Sequence, residues 1–406
     1  MTSRLPLYGL LVATALSATG TAITLVVVPW FVLETTGSAV SAGVVAACEL
    51  VPLTIASLVA GPAIERLGRR RAAVLSDLGS AAAFGAIPLV HATVGLEFWQ
   101  LCALVAAGGL ARAPAGTARR VLLPALADLA GTRLERASSA FGGVWQAGRL
   151  LGGPAGGVLI AWVGPTGGLV VTAAGFTLAA ALIATLVPGS RSARTGAGYL
   201  RDLRDGLAYV RADRLVLALV AMAAVTNLLD LSFSAVLLPV YAIEVLGSSF
   251  GLGAVFGAMG VGALFGAAIF GAIGHRLAPR RTLGVAFVLM GAPRFGLLAA
   301  TDDLRLVLAG VFLCGVAAGT IDPLIATVLV RRVPEELQAR VFGVLTAAVL
   351  TVMPVGALLG GSLVEAVGLR PALLGGAACY LLVTLSPFVF RTWRALDRAP
   401  YGSLTP

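Results

Sequence analysis

Lysine is absent from this 406-residue chain, so its positive charge rests on 29 arginines against 19 acids, a formal net charge of +10. Charge of either sign is scarce, at 12% of residues, where soluble domains carry about 25%. With 58% hydrophobic residues and a mean hydropathy of +0.97, that scarcity excludes an ordinary soluble protein. Histidine occurs twice, as His91 and His275, both at the ends of apolar runs. The four cysteines (Cys48, Cys102, Cys314 and Cys379) lie inside such runs without paired spacing. They read as buried structural thiols, with no disulfide framework, no metal site and no cofactor. No Walker loop is present, which excludes ATP-driven work within this chain, and no enzymatic constellation survives inspection. A nucleic-acid footprint would gather the arginines on one soluble module, and none exists here.

What the chain has is apolar length. Runs of about 20 residues with few charges recur, long enough to cross a bilayer core as helices. They fall at 6–33, 38–63, 72–91, 96–118, 138–162, 166–188, 215–243, 250–274, 282–300, 306–330, 341–366 and 371–390. The first is too long for the apolar core of a signal peptide and leads to no cleavage site, so it counts as span one. The pattern predicts an all-α integral membrane protein with 12 crossings. The longest polar stretch, 189–214, separates residues 1–188 from 215–406. Within it Leu200, Leu203, Leu207 and Val210 recur at three- and four-residue steps among Arg201, Asp202, Arg204, Asp205 and Arg211. That suits an amphipathic helix lying on the membrane surface. A tether that lets two bundles rock and a plain solvated connector both agree with it.

Arginine placement sets orientation, since an even number of spans puts both termini on one side. Alternate loops collect Arg4; Arg66, Arg69, Arg70 and Arg71; Arg119, Arg120, Arg133 and Arg136; the linker arginines; Arg276, Arg280 and Arg281; Arg331, Arg332 and Arg340; and Arg391, Arg394 and Arg398. The opposite loops hold only Arg305 and Arg370, beside Glu34, Glu97, Glu244, Asp302, Asp303 and Glu365. The positive-inside rule then predicts a multi-pass protein of the cell (inner) membrane with both termini cytoplasmic.

Two motifs occur twice. Gly61-Pro-Ala-Ile-Glu65-Arg66-Leu-Gly68-Arg69-Arg70-Arg71 returns as Gly271-Ala-Ile-Gly-His275-Arg276-Leu-Ala278-Pro279-Arg280-Arg281, with Arg66, Leu67, Arg70 and Arg71 on identical residues. Gly148-x-x-x-Gly152-Gly-Pro154-Ala-Gly156-Gly157 matches Gly356-x-x-x-Gly360-Gly361. Such glycines clear one helix face so that backbones approach closely. Repeats at equivalent points of two halves read as an internal duplication.

The first motif resembles the loop signature G-x-x-x-D-R-x-G-R-R of the major facilitator superfamily, with Glu65 in place of aspartate. The second resembles that superfamily's antiporter signature in span five, its proline displaced by one place to Pro154. Val28-Pro-Trp-Phe-Val-Leu-Glu-Thr-Thr-Gly-Ser38, Pro114-Ala-Gly-Thr and Arg340-Val-Phe-Gly343 look like the drug-efflux branch of Tap-type multidrug and macrolide-efflux pumps and enterobactin exporters. The resemblance implies two six-helix bundles related by a pseudo-two-fold axis. It also implies proton-driven export of amphipathic small molecules by alternating access, working as a monomer among membrane lipids with no nucleic-acid partner. Export of a siderophore or other metabolite, passive facilitation, import, and a non-transporting receptor on the same scaffold remain open. By the same resemblance Gly61, Glu65, Arg66, Gly68 and Arg69 form a conformational latch with Asp77 and Asp128.

Ionisable residues well inside spans are Glu49, Arg112, Arg149, Asp230, Arg294 and Asp322. Each costs about 2.5–3.5 kcal/mol at a helix centre on insertion scales, so each is expected to face inward, either in neutral pairs or as part of the transport path. Glu49, Asp230 and Asp322 are candidate proton carriers, because desolvation favours a neutral carboxyl. Arg112-Ala-Pro-Ala-Gly116 resembles the span-four signature of proton-coupled members. Arg112 occupies the point equivalent to Asp322, with pairing across the cavity or contact with backbone carbonyls near Pro114 as its two readings. Arg149, Arg294 and Asn227 are expected as cavity groups.

Overall fold

A computed structural model describes residues 3–189 and 199–396, and among these residues there is no strand. The helices are α1 (Leu5–Thr36), α2 (Ala39–Leu67), α3 (Arg69–Thr93), α4 (Phe98–Leu129) and α5 (Leu134–Leu186). After α6 (Tyr199–Ala212), one crossing is built from α7 (Arg214–Ser232), a π-helical turn (Phe233–Leu237) and α8 (Leu238–Glu244). Then come α9 (Ser249–Ile273), α10 (Pro279–Met290), α11 (Ala292–Ala300), α12 (Leu304–Arg332), α13 (Glu335–Val367), α14 (Leu369–Thr384) and α15 (Ser386–Val389). Eleven stretches among the described residues are long and apolar enough to cross a membrane. α5 is 53 residues long and breaks at Gly164, whose φ of 73° and ψ of 170° leave the helical region. It therefore makes two crossings joined by one glycine, which brings the number to the twelve expected.

Side-chain oxygens set several helix starts. Ser38 accepts from the Ser41 N–H at 3.1 Å, Asp303 from the Arg305 N–H at 2.8 Å, and Glu97 forms a capping box with Gln100. These residues cap amides that lipid cannot satisfy. Large apolar side chains such as Trp162, Leu89 and Leu382 point outward, as helices solvated by hydrocarbon require.

The chain divides into two compact units, Met1–Gly196 with Ser248–Gly253, and Ala197–Gly247 with Ala254–Pro406. In the first, the span-five glycines of α5 lie against α1. A Cβ on Gly148 would meet Ala18 Cβ at 2.8 Å, one on Gly156 would meet Val26 Cβ at 3.0 Å, and one on Gly152 would collide with Ala22. In the second unit α13 packs on α7 through the repeated motif. A Cβ on Gly356 would overlap the Leu228 carbonyl, and one on Gly360 the Ser232 hydroxyl.

The helices overrun the apolar runs. α4 continues to Leu129, so Arg119, expected in a loop, is a helical residue with 1% exposure. α13 begins at Glu335, which moves Arg340 from the helix start to a point beyond the first turn. The physical reason is simple: hydropathy reports where hydrocarbon ends, and these helices extend past it.

The repeated basic motif has a repeated contact. Arg70 donates through Nη2 to the Ala184 carbonyl near the end of α5. Arg280, its duplicate, donates through Nε to the Pro387 carbonyl at 2.7 Å and through Nη2 to that of Phe388 at 3.3 Å, at the end of α15. Each places a cation on the last carbonyls of its unit's final crossing, where the helix carries partial negative charge. Arg70 thus has a structural contact beyond its expected role in setting topology.

Gly152→Val and Gly356→Val should each lower the thermal unfolding midpoint in detergent and reduce folded yield, by about 1–3 kcal/mol of overpacking. Gly143→Ala, where an added Cβ meets nothing within 4 Å, should leave both unchanged. Equal stability for all three would show that the helices part freely at the motif.

Candidate functional site: buried arginine–carboxylate pairs

The intramembrane charges occur largely as pairs inside single units. In the first unit, Glu49 on α2 faces Arg112 on α4, with Oε1 2.7 Å from Nη2. Glu49 is 4% exposed. A Cβ on Gly109 of α4 would overlap the Glu49 carbonyl, so that glycine lets the two helices close up at the pair. The contact is short but poorly aligned as a hydrogen bond, and Arg112 Nη1 has no hydrogen-bond partner among the described residues. Of the two readings open for Arg112, the structure adds a third, a partner one helix away in its own bundle.

A second pair lies nearer the arginine-rich end. Arg119 on α4 donates to Asp77 Oδ2 on α3 at 2.5 Å, and Ser17 on α1 donates to Asp77 Oδ1 at 3.1 Å. Three helices are tied at a site almost wholly closed to solvent. Asp77 was expected in a latch with Asp128, but Asp128 is exposed near the end of α4 and Asp77 is engaged by Arg119. Arg119 gave no signal in the sequence because Arg120 follows it and the apolar run stops there. The rest of the latch is partly visible. Gly68, with φ of 83°, turns α2 into α3, its N–H donating to Ile64 at 2.9 Å, and Arg69 reaches the Val121 carbonyl at 3.5 Å. The Glu65 side chain lies outside the described residues.

The second unit holds an arginine as enclosed as Arg119. Arg294 on α11 is 1% exposed and bonds Asp230 on α7. Its guanidinium carbon stands 4.6 Å from the Phe233 ring centroid, 5.3 Å from Phe295 and 5.5 Å from Tyr380. Ring faces attract a desolvated cation by about 2 kcal/mol, so the cage offsets part of the burial cost. Two backbone irregularities make room. The π-helical turn begins at Phe233, three residues after Asp230, and α10 gives way to α11 at Gly291. A Cβ on Gly291 would fall within the Tyr380 ring. Tyr380 thus plugs the helix break that carries Arg294. Such π turns gather at functional sites. Arg294, expected on a cavity wall, is instead enclosed by aromatics, a neighbourhood that charge-based reading could not find because Phe233, Phe295 and Tyr380 are ordinary apolar residues in sequence.

The remaining candidates are not brought into these clusters. Asn227 donates to the Ala223 carbonyl of its own helix at 2.8 Å. Arg149 and Asp322 are exposed residues of α5 and α12. At the arginine-rich end of the second unit, α6 is pinned to its bundle: Arg340 donates to Asp205 at 3.0 Å, Tyr209 to the Arg332 carbonyl at 3.2 Å, and Arg332 to Asp213 at 2.8 Å. Burial raises the Asp213 carboxyl, but hydrogen bonds from Arg332 and from the Leu215 and Val216 amides outweigh it and hold it below the ordinary carboxylate value of 3.8.

Taking one member from a buried pair strands the other, at a cost of about 3–5 kcal/mol. Arg294→Gln and Asp230→Asn should each depress thermal stability, and the double variant should recover more than the sum of the singles predicts. Additive losses would mean that the two groups do not interact. For Asp213, whose folded value is depressed, the stabilisation is present above the ordinary value and disappears as pH falls through the folded one. Asp213→Asn, which keeps the cap, should cost about 0.5 kcal/mol between pH 5 and 8. Parent and variant should begin to approach each other below about pH 4 and meet once pH has fallen past the folded value, read as unfolding midpoints across that range.

The family model described as "Major Facilitator Superfamily" matches residues 10–267 and 220–405. The "Multidrug efflux pump Tap" of Mycolicibacterium fortuitum is 32% identical over 98% of this chain and 98% of its own length. A Tap pump of Mycobacterium tuberculosis (strain ATCC 25618 / H37Rv) is 31% identical over 99% and 97%. Among solved structures, the nucleoside transporter NupG superposes with a TM-score of 0.75 at 13% identity, covering 95% of this chain and 99% of that one. An inward-facing bacterial homologue of the human lysosomal transporter Spinster gives 0.70 at 13% identity, covering 98% of each. At such identities these two likenesses speak for the fold alone. Two motifs in duplicate, twelve crossings and a family match across both halves lead to one conclusion: the chain belongs to the major facilitator superfamily.

Proposed function

We propose that this protein is a secondary transporter that exports amphipathic small molecules, drugs among them, in exchange for protons. The observation that carries the reading is full-length similarity, above 30% identity, to pumps named for multidrug efflux. It is supported by buried carboxylates in a chain with no nucleotide-binding loop. The transport cycle is alternating access, with residues 1–188 and 215–406 as the moving halves, 189–214 as the segment that joins them, its helix α6 travelling with the second, and both termini cytoplasmic in the cell membrane. The protein works as a monomer.

The Asp230–Arg294 and Glu49–Arg112 pairs are the assigned coupling elements, with Asp322 as a third carboxylate. A proton on Asp230 or Glu49 removes the negative charge that holds its guanidinium. The arginine is then an uncompensated cation in an apolar bundle, and the helices rearrange until it finds water or another partner. Release of the proton on the opposite side restores the pair. Glu49 on the transport path would favour cationic substrates.

Expressed in an efflux-deficient host, the protein should raise tolerance to a panel of amphipathic drugs. In inverted vesicles a protonophore should collapse uphill dye accumulation. Of Glu49→Gln, Asp230→Asn and Asp322→Asn, at least one should abolish uphill transport yet still bind substrate, because the neutral side chain mimics the protonated form. Normal pumping by all three variants would place coupling elsewhere, and downhill flux alone in the parent would identify a facilitator.

A further inference from the structure

A groove of about 750 Å³ runs between α10–α11 and α12, lined among others by Val285, Leu289, Pro293, Leu297, Leu313 and Cys314. It is open on the outside of the bundle: Val285 is 48% exposed, Leu289 50% and Leu313 66%. In a membrane-spanning segment those side chains meet hydrocarbon. Gly310 shapes the inner wall, because a Cβ there would collide with Leu297. The groove is almost devoid of free polar groups. The Thr282 hydroxyl donates to the Ala278 carbonyl at 2.9 Å, and that of Thr320 to Ala317 at 2.8 Å. Among the described residues the one charge in the lining is Arg281, exposed at the arginine-rich end of α10.

We propose that this groove is a binding site for an anionic phospholipid, with one acyl chain between α10–α11 and α12 and the phosphate on Arg281. The dimensions suit that occupant. From Arg281 along α10 to Pro293 at the start of α11 the chain rises by about 18 Å, and half of a hydrocarbon core is about 15 Å thick. The charge suits it too, since a cationic amphiphile would meet Arg281 at the mouth and find no acid in the lining. The inner end of the groove adjoins the Arg294 site: Pro293 precedes that arginine and Cys314 lies within its electrostatic reach. The proposal needs only the membrane fold and stands apart from proton coupling.

Cys314 provides the reporter. The full-length chain carrying Cys48→Ala, Cys102→Ala and Cys379→Ala is placed in phosphatidylcholine nanodiscs with increasing phosphatidylglycerol, and alkylation of Cys314 by a membrane-permeant maleimide is timed. Labelling should slow severalfold as phosphatidylglycerol increases, and Arg281→Gln should raise the amount needed by about fivefold. Arg305→Gln, outside the groove, should change nothing. Native mass spectrometry gives a second measurement on the parent chain: retained phosphatidylglycerol should fall in Leu313→Trp, which fills the groove from its own wall. The proposal is overturned if labelling is independent of lipid charge, if Arg281→Gln behaves as the parent, if a drug protects Cys314 where phosphatidylglycerol does not, or if Leu313→Trp retains lipid undiminished.

Discussion

A guanidinium inside hydrocarbon must have a counter-charge, and much of this architecture follows from that demand. Arg119 and Arg294 are each 1% exposed, and each is bonded to an aspartate on a neighbouring helix. The carboxylates fix which helices are neighbours, because an apolar surface alone makes no distinction between one greasy face and another. Asp77 joins α1, α3 and α4 in a single hydrogen-bonded knot. Asp230 and Arg294 link α7 to α11, and the aromatic cage around them requires a break in one helix and a wider turn in the other. Charge pairing and close glycine packing act together. Gly109 permits the approach of α2 and α4 that brings Glu49 to Arg112.

The two units are variations on one plan. Helices α1 and α5 meet through Gly148 and Gly152; α7 and α13 meet through Gly356 and Gly360. Arg70 and Arg280 reach the carbonyl ends of α5 and α15. Where the copies diverge, packing diverges as well. Gly68 supplies a left-handed turn between α2 and α3, whereas the second copy has Ala278 and Pro279 there and enters α10 through a 3₁₀ turn at Gly274–Arg276. Alanine at 278 keeps φ at −71°, a value open to any residue.

Span count, duplication and family were legible in the sequence because they depend on properties that add along the chain: apolar length, arginine placement and glycine spacing. Pairing was not, because it depends on which faces of two distant helices meet. Glu49 and Arg112 were both conspicuous as charges in apolar runs, yet nothing linear joins them. Arg119 was concealed by its neighbour Arg120, and Asp77 stood out only through family resemblance. Tyr380 and Phe233 were invisible for the opposite reason: they look like filling until a cation is found among them. Gly164 was legible only as a gap between two runs, and the structure reduces that gap to a single residue with positive φ.

Every buried carboxylate described here is matched by arginine, never lysine. An ammonium can pass its proton to a nearby acid, leaving both groups neutral without any exchange with the outside. Guanidinium does not surrender its proton in proteins. The internal neutralisation available to a lysine–carboxylate couple is therefore closed to Glu49–Arg112, Asp77–Arg119 and Asp230–Arg294 alike. Each couple carries a fixed cation and one titratable partner. A proton that discharges one of these acids must come from beyond the couple, along a route of water or side chains that reaches it.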